Sequence, residues 1–93
     1  METAEETKRI EAEVEIRGAL GLHARPAARL ARALAPLRAR VWLAQGETLV
    51  DARSILDVLT LAARTGTRLK VVAEGEEAEA ALETVKRILE AES

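Results

Sequence analysis

An α+β fold, with helices on one side of a four-stranded antiparallel sheet, is what this sequence predicts, on three observations. First, apolar residues alternate with polar ones at Ile10, Ala12, Val14 and Ile16, against Glu11, Glu13, Glu15 and Arg17, the period of a half-buried strand. Second, three later stretches carry apolar residues at helical spacing, and they interleave with further strand-like runs in the order β-α-β-β-α-β-α. Third, the strands are apolar on one face only, so helices are needed on that face alone. Ninety-three residues make one domain, and with Trp42 the only aromatic its core must be aliphatic.

Taken in order, residues 1–9 are charged and aperiodic and read as a frayed acidic leader, with a single domain over 10–93. The first strand starts at Ile10, and residues 18–22 are a loop. Residues 24–35 are Ala, Leu and Arg apart from Pro26, a strongly helix-forming mixture. Proline is tolerated in a first turn, where its missing N–H has no intrahelical acceptor, so the helix begins near Ala24. Ala27, Leu30, Ala31 and Leu34 form its buried stripe, and Pro36 ends it. Residues 38–44 and 48–52 are two strands of a hairpin about Gln45-Gly46-Glu47. Ser54 opens the second helix, with Asp57 three residues on as a variant capping box. Its core stripe is Ile55, Val58, Leu59 and Ala62, Leu56 points away, and Arg64-Thr65-Gly66 closes it. Residues 67–73 are the last strand. The final helix covers about 76–91, with Glu76, Glu77 and Glu79 complementing its N-terminal dipole.

The only histidine, His23, falls at the start of the first helix, behind Gly21 and beside Arg25. The first backbone N–H groups of a helix lack intrahelical acceptors and carry partial positive charge, so an anion is welcome there. The backbone of Ala24 and Arg25 supplies such donors, and the Arg25 guanidinium adds a planar fork suited to phosphate oxygens. An imidazole nitrogen in that setting is equipped to carry a phosphoryl group. The alternative is a solvated cap histidine with no role. Between residues 17 and 46 there are six arginines and no carboxylate, and Arg25, Arg29 and Arg32 share a helix face. Such a region steers an acidic partner. Ile55 and Leu56, on the second helix, are candidates for the apolar part of the docking surface.

Gly-Leu-His-Ala-Arg-Pro-Ala at 21–27 resembles the active-site signature of the HPr family, the histidine-containing phosphocarriers of the bacterial phosphoenolpyruvate:sugar phosphotransferase system. The similarity of element order extends over roughly residues 10–91. The resemblance implies an open-faced β-sandwich with sheet order 1-4-2-3, a pros-phosphohistidine at His23 and phosphate stabilisation by Arg25. It implies phosphorylated enzyme I as donor and IIA domains of sugar permeases as acceptors, with no cofactor or metal. Arg53-Ser54-Ile55-Leu56 resembles the family's second motif, which makes Ser54 a candidate target of HPr kinase/phosphorylase. Leu20 stands where many members carry a polar residue, and Asp57 where glycine or lysine is frequent.

Other classes fare worse. An RNA-binding domain of similar element order needs sheet aromatics on which bases stack, and this chain has no Phe and no Tyr. An independent enzyme needs a second acid or base, a nucleotide loop or a ligand cluster, and none is apparent. A regulatory phosphorelay of nitrogen or dihydroxyacetone-kinase type remains an alternative to sugar uptake. With no cysteine, no apolar run of membrane-spanning length and no secretory signal, the expected setting is cytoplasmic, without nucleic-acid or membrane partners and as a monomer.

Overall fold

The computed structural model describes residues 8–91. The elements are β1 (Arg9–Glu15), α1 (Ala24–Leu34), β2 (Arg40–Gln45), β3 (Thr48–Asp51), α2 (Ile55–Thr60), β4 (Arg68–Glu74) and α3 (Ala78–Leu89). The strands form one antiparallel sheet in the order β1-β4-β2-β3. This is the expected α+β open-faced sandwich, sheet order included.

Alternation decides which face is covered. Val14 of β1, Val41 and Leu43 of β2, Val50 of β3 and Leu69, Val71 and Ala73 of β4 are buried in one cluster with the helices. Ala27, Leu30 and Leu34 come from α1, Val58 from α2, and Ala78, Ala81, Val85 and Leu89 from α3. Each fully buried Val, Leu or Ile contributes roughly 1.5–3 kcal/mol and each alanine less, and this row of small aliphatics replaces the aromatics the chain lacks. The other sheet face is ionic over β1 and β4, where Lys70 pairs with Glu11 at 3.4 Å and Arg68 with Glu13 at 3.6 Å. Toward β2 that face is less polar than alternation predicts. Val72, directly opposite the half-buried Trp42, is itself buried.

Several boundaries move for local reasons. Of the expected leader, residues 1–7 lie outside the described residues, but Arg9 already belongs to β1, paired with Glu74. Arg38 and Ala39 precede β2 instead of opening it, because Glu77 takes over the Arg38 backbone and Arg53 the Ala39 carbonyl. The Glu77 carboxylate accepts the Arg38 backbone N–H at 2.7 Å, and the Arg38 carbonyl accepts the Glu77 N–H at 2.9 Å. Glu76 pairs with the Arg38 guanidinium at 3.3 Å. These two glutamates thus bind a loop, and α3 begins only at Ala78, with Glu79 in its first turn.

The second helix is shorter than its stripe predicts. It ends at Thr60, and Leu61 and Ala62 donate to Val58 and Leu59, tightening the last turn. Ala62 has φ +51, which no helix continues, and it is exposed. Leu61 and Ala63 take the buried places instead, while Ile55 is 38% exposed. The closure at Arg64-Thr65-Gly66 is therefore a separate loop.

Candidate functional site

The site is built on a turn. The Gly21 N–H donates to the Gly18 carbonyl at 3.0 Å, and Gly21 has φ +73. A Cβ at Gly21 would sit 2.7 Å from the Ala63 carbonyl oxygen, so only glycine fits both the conformation and the space. The next residue, Leu22, is buried, and its N–H donates to that same Ala63 carbonyl at 2.9 Å. The Thr65 hydroxyl donates to the Gly18 carbonyl, and the Gly66 N–H to the Ile16 carbonyl at 2.7 Å. The loop that delivers His23 is thus clamped at three points to residues 63–66.

His23 is the N-cap of α1, with extended backbone (φ −125, ψ −170). Its carbonyl accepts the Ala27 N–H at 3.1 Å, which starts the helix, while its imidazole makes no capping bond and stays half-exposed. Pro26 has no N–H to offer. The Ala24 and Arg25 N–H groups find no protein acceptor among the described residues, and the first turn holds no carboxylate. Two donors and the positive helix end therefore face solvent beside the ring. A shallow depression beside the ring is lined by Ile16, Leu22, Pro26 and Ile88. This arrangement can receive an anion that bonds to the imidazole nitrogen, and its openness lets a large donor reach that nitrogen.

Of the other sequence-predicted residues, Arg25, Arg29 and Arg32 are exposed along α1, with no carboxylate paired to them among the described residues. Arg32 also lies in the last turn of α1, where a cation complements the dipole. Ser54 is the N-cap of α2, and its Oγ accepts the Asp57 N–H at 3.2 Å. Leu56 is 76% exposed beside the half-exposed Ile55. No hydrogen bond joins Ser54 to His23 among the described residues, although α1 and α2 pack together.

Two features escaped the sequence reading. Arg53 sends its guanidinium to the carbonyl of Leu34, the last residue of α1, at 2.9 Å and to those of Leu37 at 2.8 Å and Ala39 in the loop that follows, tying the helix end to that loop. The 63–66 loop buttresses the His23 loop across 47 residues of sequence. Neither has a periodic signal, since both join distant segments. The one available hint was Gly21, whose requirement for a close neighbour says nothing of which neighbour it is.

With this geometry in hand, comparison with known proteins is specific. A sequence-family profile described as "PTS HPr component phosphorylation site" matches residues 10–91. The phosphocarrier protein HPr of Treponema pallidum is 34% identical, over 83% of this chain and 88% of its own. The phosphocarrier protein NPr of Shewanella violacea is also 34% identical, over 89% and 91%. Among solved structures, a phosphocarrier protein HPr from Bacillus anthracis superposes with a TM-score of 0.82 at 30% identity, covering 87% of this chain and 96% of that one.

Proposed function

The chain belongs to the HPr family of phosphocarrier proteins, and on that premise we propose that His23 accepts a phosphoryl group from phosphorylated enzyme I and passes it to IIA domains of sugar permeases. The observation that carries this reading is the unfilled start of α1: an N-cap imidazole with no capping bond beside two N–H groups with no protein acceptor. In the transfer, the lone pair of the His23 Nδ1 attacks phosphorus. The bond from phosphorus to the donor's leaving atom breaks, and that atom keeps the electron pair. The Ala24 and Arg25 amides and the Arg25 guanidinium offset charge on the phosphoryl oxygens. No acid or base beyond the two reacting partners is required, so positioning and charge supply the catalysis, and the chain is a carrier with no turnover of its own.

The partner surface in this proposal is Arg25, Arg29 and Arg32 with Ile55 and Leu56, a basic rim beside apolar side chains that suits an acidic protein. Ser54 is the proposed regulatory site for HPr kinase/phosphorylase. Phosphate there is compatible with the helix start it already caps, and its charge weakens docking of an acidic partner. The protein acts as a cytoplasmic monomer.

A second reading keeps the chemistry and changes the route. Similarity to an NPr is as high as to an HPr, which supports a regulatory relay uncoupled from sugar uptake. Both readings meet the same first test. Incubation with enzyme I and phosphoenolpyruvate is expected to give a phosphoprotein that is acid-labile and base-stable, and His23→Ala is expected to abolish it. An acid-stable label that survives His23→Ala sinks both.

A further inference from the structure

We propose that Arg64, on the loop that buttresses the carrier turn, is a further partner-docking cation of the His23 site, taking a carboxylate on the surface around the donor's phosphorylated residue. The inference rests on the carrier function proposed above and adds to it a residue outside both sequence motifs.

Placement is the first argument. A Cβ built on Gly21 would lie 3.1 Å from the Arg64 Cα, so the two backbones touch. Gly21 and His23 are two peptide units apart, at most about 7 Å of chain. Arg64 is therefore rooted beside the N-terminal approach to His23, whereas Arg25 follows on its C-terminal side. The root is rigid: Leu22 donates to the Ala63 carbonyl at 2.9 Å, the Thr65 hydroxyl donates to the Gly18 carbonyl, and the Arg64 N–H itself donates to the Thr67 Oγ1 at 3.1 Å.

Charge is the second argument. Arg64 is exposed and has no ion pair among the described residues. Arg68, four residues on, is spent on Glu13 across the open sheet face. An unpaired guanidinium next to a region with no carboxylate from residue 17 to 46 extends that basic field to the other side of the histidine. Fields of this kind set encounter rate and choice of partner more than the chemical step.

Transfer from phosphorylated enzyme I to the full chain, followed over a range of chain concentrations at low and moderate salt, tests the proposal. Arg64→Ala is expected to raise KM about threefold and Arg64→Glu about tenfold, the size of exposed charge contacts at an interface. The kcat is expected to stay within twofold, the salt dependence to flatten in Arg64→Ala, and Arg64→Lys to retain most of the effect. Arg68→Ala, on the opposite face, is the control and should match the parent. Wild-type KM and salt response in both Arg64→Ala and Arg64→Glu overturns the proposal. So does a fall in kcat at constant KM, which would put Arg64 on the phosphoryl group instead of the partner. Failure of the parent chain to accept phosphate is a different outcome and tells against the carrier function itself.

Discussion

The two helices that pack together, α1 and α2, begin in opposite ways. At α2, Ser54 closes the helix start: its Oγ accepts the N–H of Asp57, the third helical residue, and the Asp57 carboxylate occupies the first turn. At α1, the third helical residue is Pro26, which has no N–H, and the cap residue is a histidine whose ring bonds nothing. The donor that completes one cap is thus deleted from the other. Acid is absent from the first turn of α1 and present in that of α2. Each start leaves its first two N–H groups without a protein acceptor among the described residues, but only α2 closes the third with its cap and sets a carboxylate beside them, so the difference teaches that the start of α1 is kept free of internal anions for a visitor.

Closing α1 in the manner of α2 breaks the comparison most completely. His23→Asp places a good capping side chain on backbone already extended for the role. With proline third, only the Arg25 N–H is within a cap's usual range, so the gain is at the low end, about 0.5–1 kcal/mol. Urea denaturation is expected to show that stabilisation, while labelling from enzyme I and phosphoenolpyruvate falls to nothing. A variant that is less stable than the parent would mean that the start of α1 is not competent for capping, and the contrast with α2 would lose its meaning.

The far end of α1 sharpens the contrast, because there the chain supplies a charged donor of its own. Arg53, immediately before Ser54, fills the carbonyls of Leu34, Leu37 and Ala39 with one guanidinium. Arg53→Ala removes the charged donor from three carbonyls, of which Leu34 and Leu37 keep the backbone N–H groups of Leu37 and Ala39 at 3.0 Å, and is expected to cost about 1–2 kcal/mol, read as a lower urea midpoint at unchanged slope. Phosphoryl transfer by the folded fraction should persist, since the start of α1 is untouched. Loss of transfer without loss of stability would move Arg53 from scaffold to site.

How much of this was legible follows from the same residues. The start of α1 could be read because its signals are local: Gly21, His23, Pro26 and the Ala/Arg run lie within one short stretch. The buried stripes of α1 and the strands were legible from periodicity. The end of α2 was not, because Ala62 is an ordinary helix former that takes a left-handed backbone only under the demand of burying Leu61 and Ala63. Glu76 and Glu77 looked like dipole partners, as acids before a helix usually are, but they serve Arg38, 38 and 39 residues away. Val72 fell on the polar face by alternation and is buried beside Trp42. Each miss is a long-range contact overriding a local preference that was itself correctly read.

The smallest effect concerns the cap of α2 alone. Ser54→Ala removes the bond to the Asp57 N–H and is expected to cost about 1 kcal/mol by urea denaturation. A 3.2 Å bond at an exposed helix start argues for no more than that, since water replaces the lost acceptor. The rate of labelling at His23 should not change, because the amides that serve His23 belong to α1. That pairing of outcomes separates the two helix starts: one loses stability when its cap is removed and leaves transfer unchanged, the other gains stability when it is capped and loses transfer. If Ser54→Ala slowed labelling as much as it lowered stability, the two starts would form one coupled unit, and the division of labour drawn from their caps would fail.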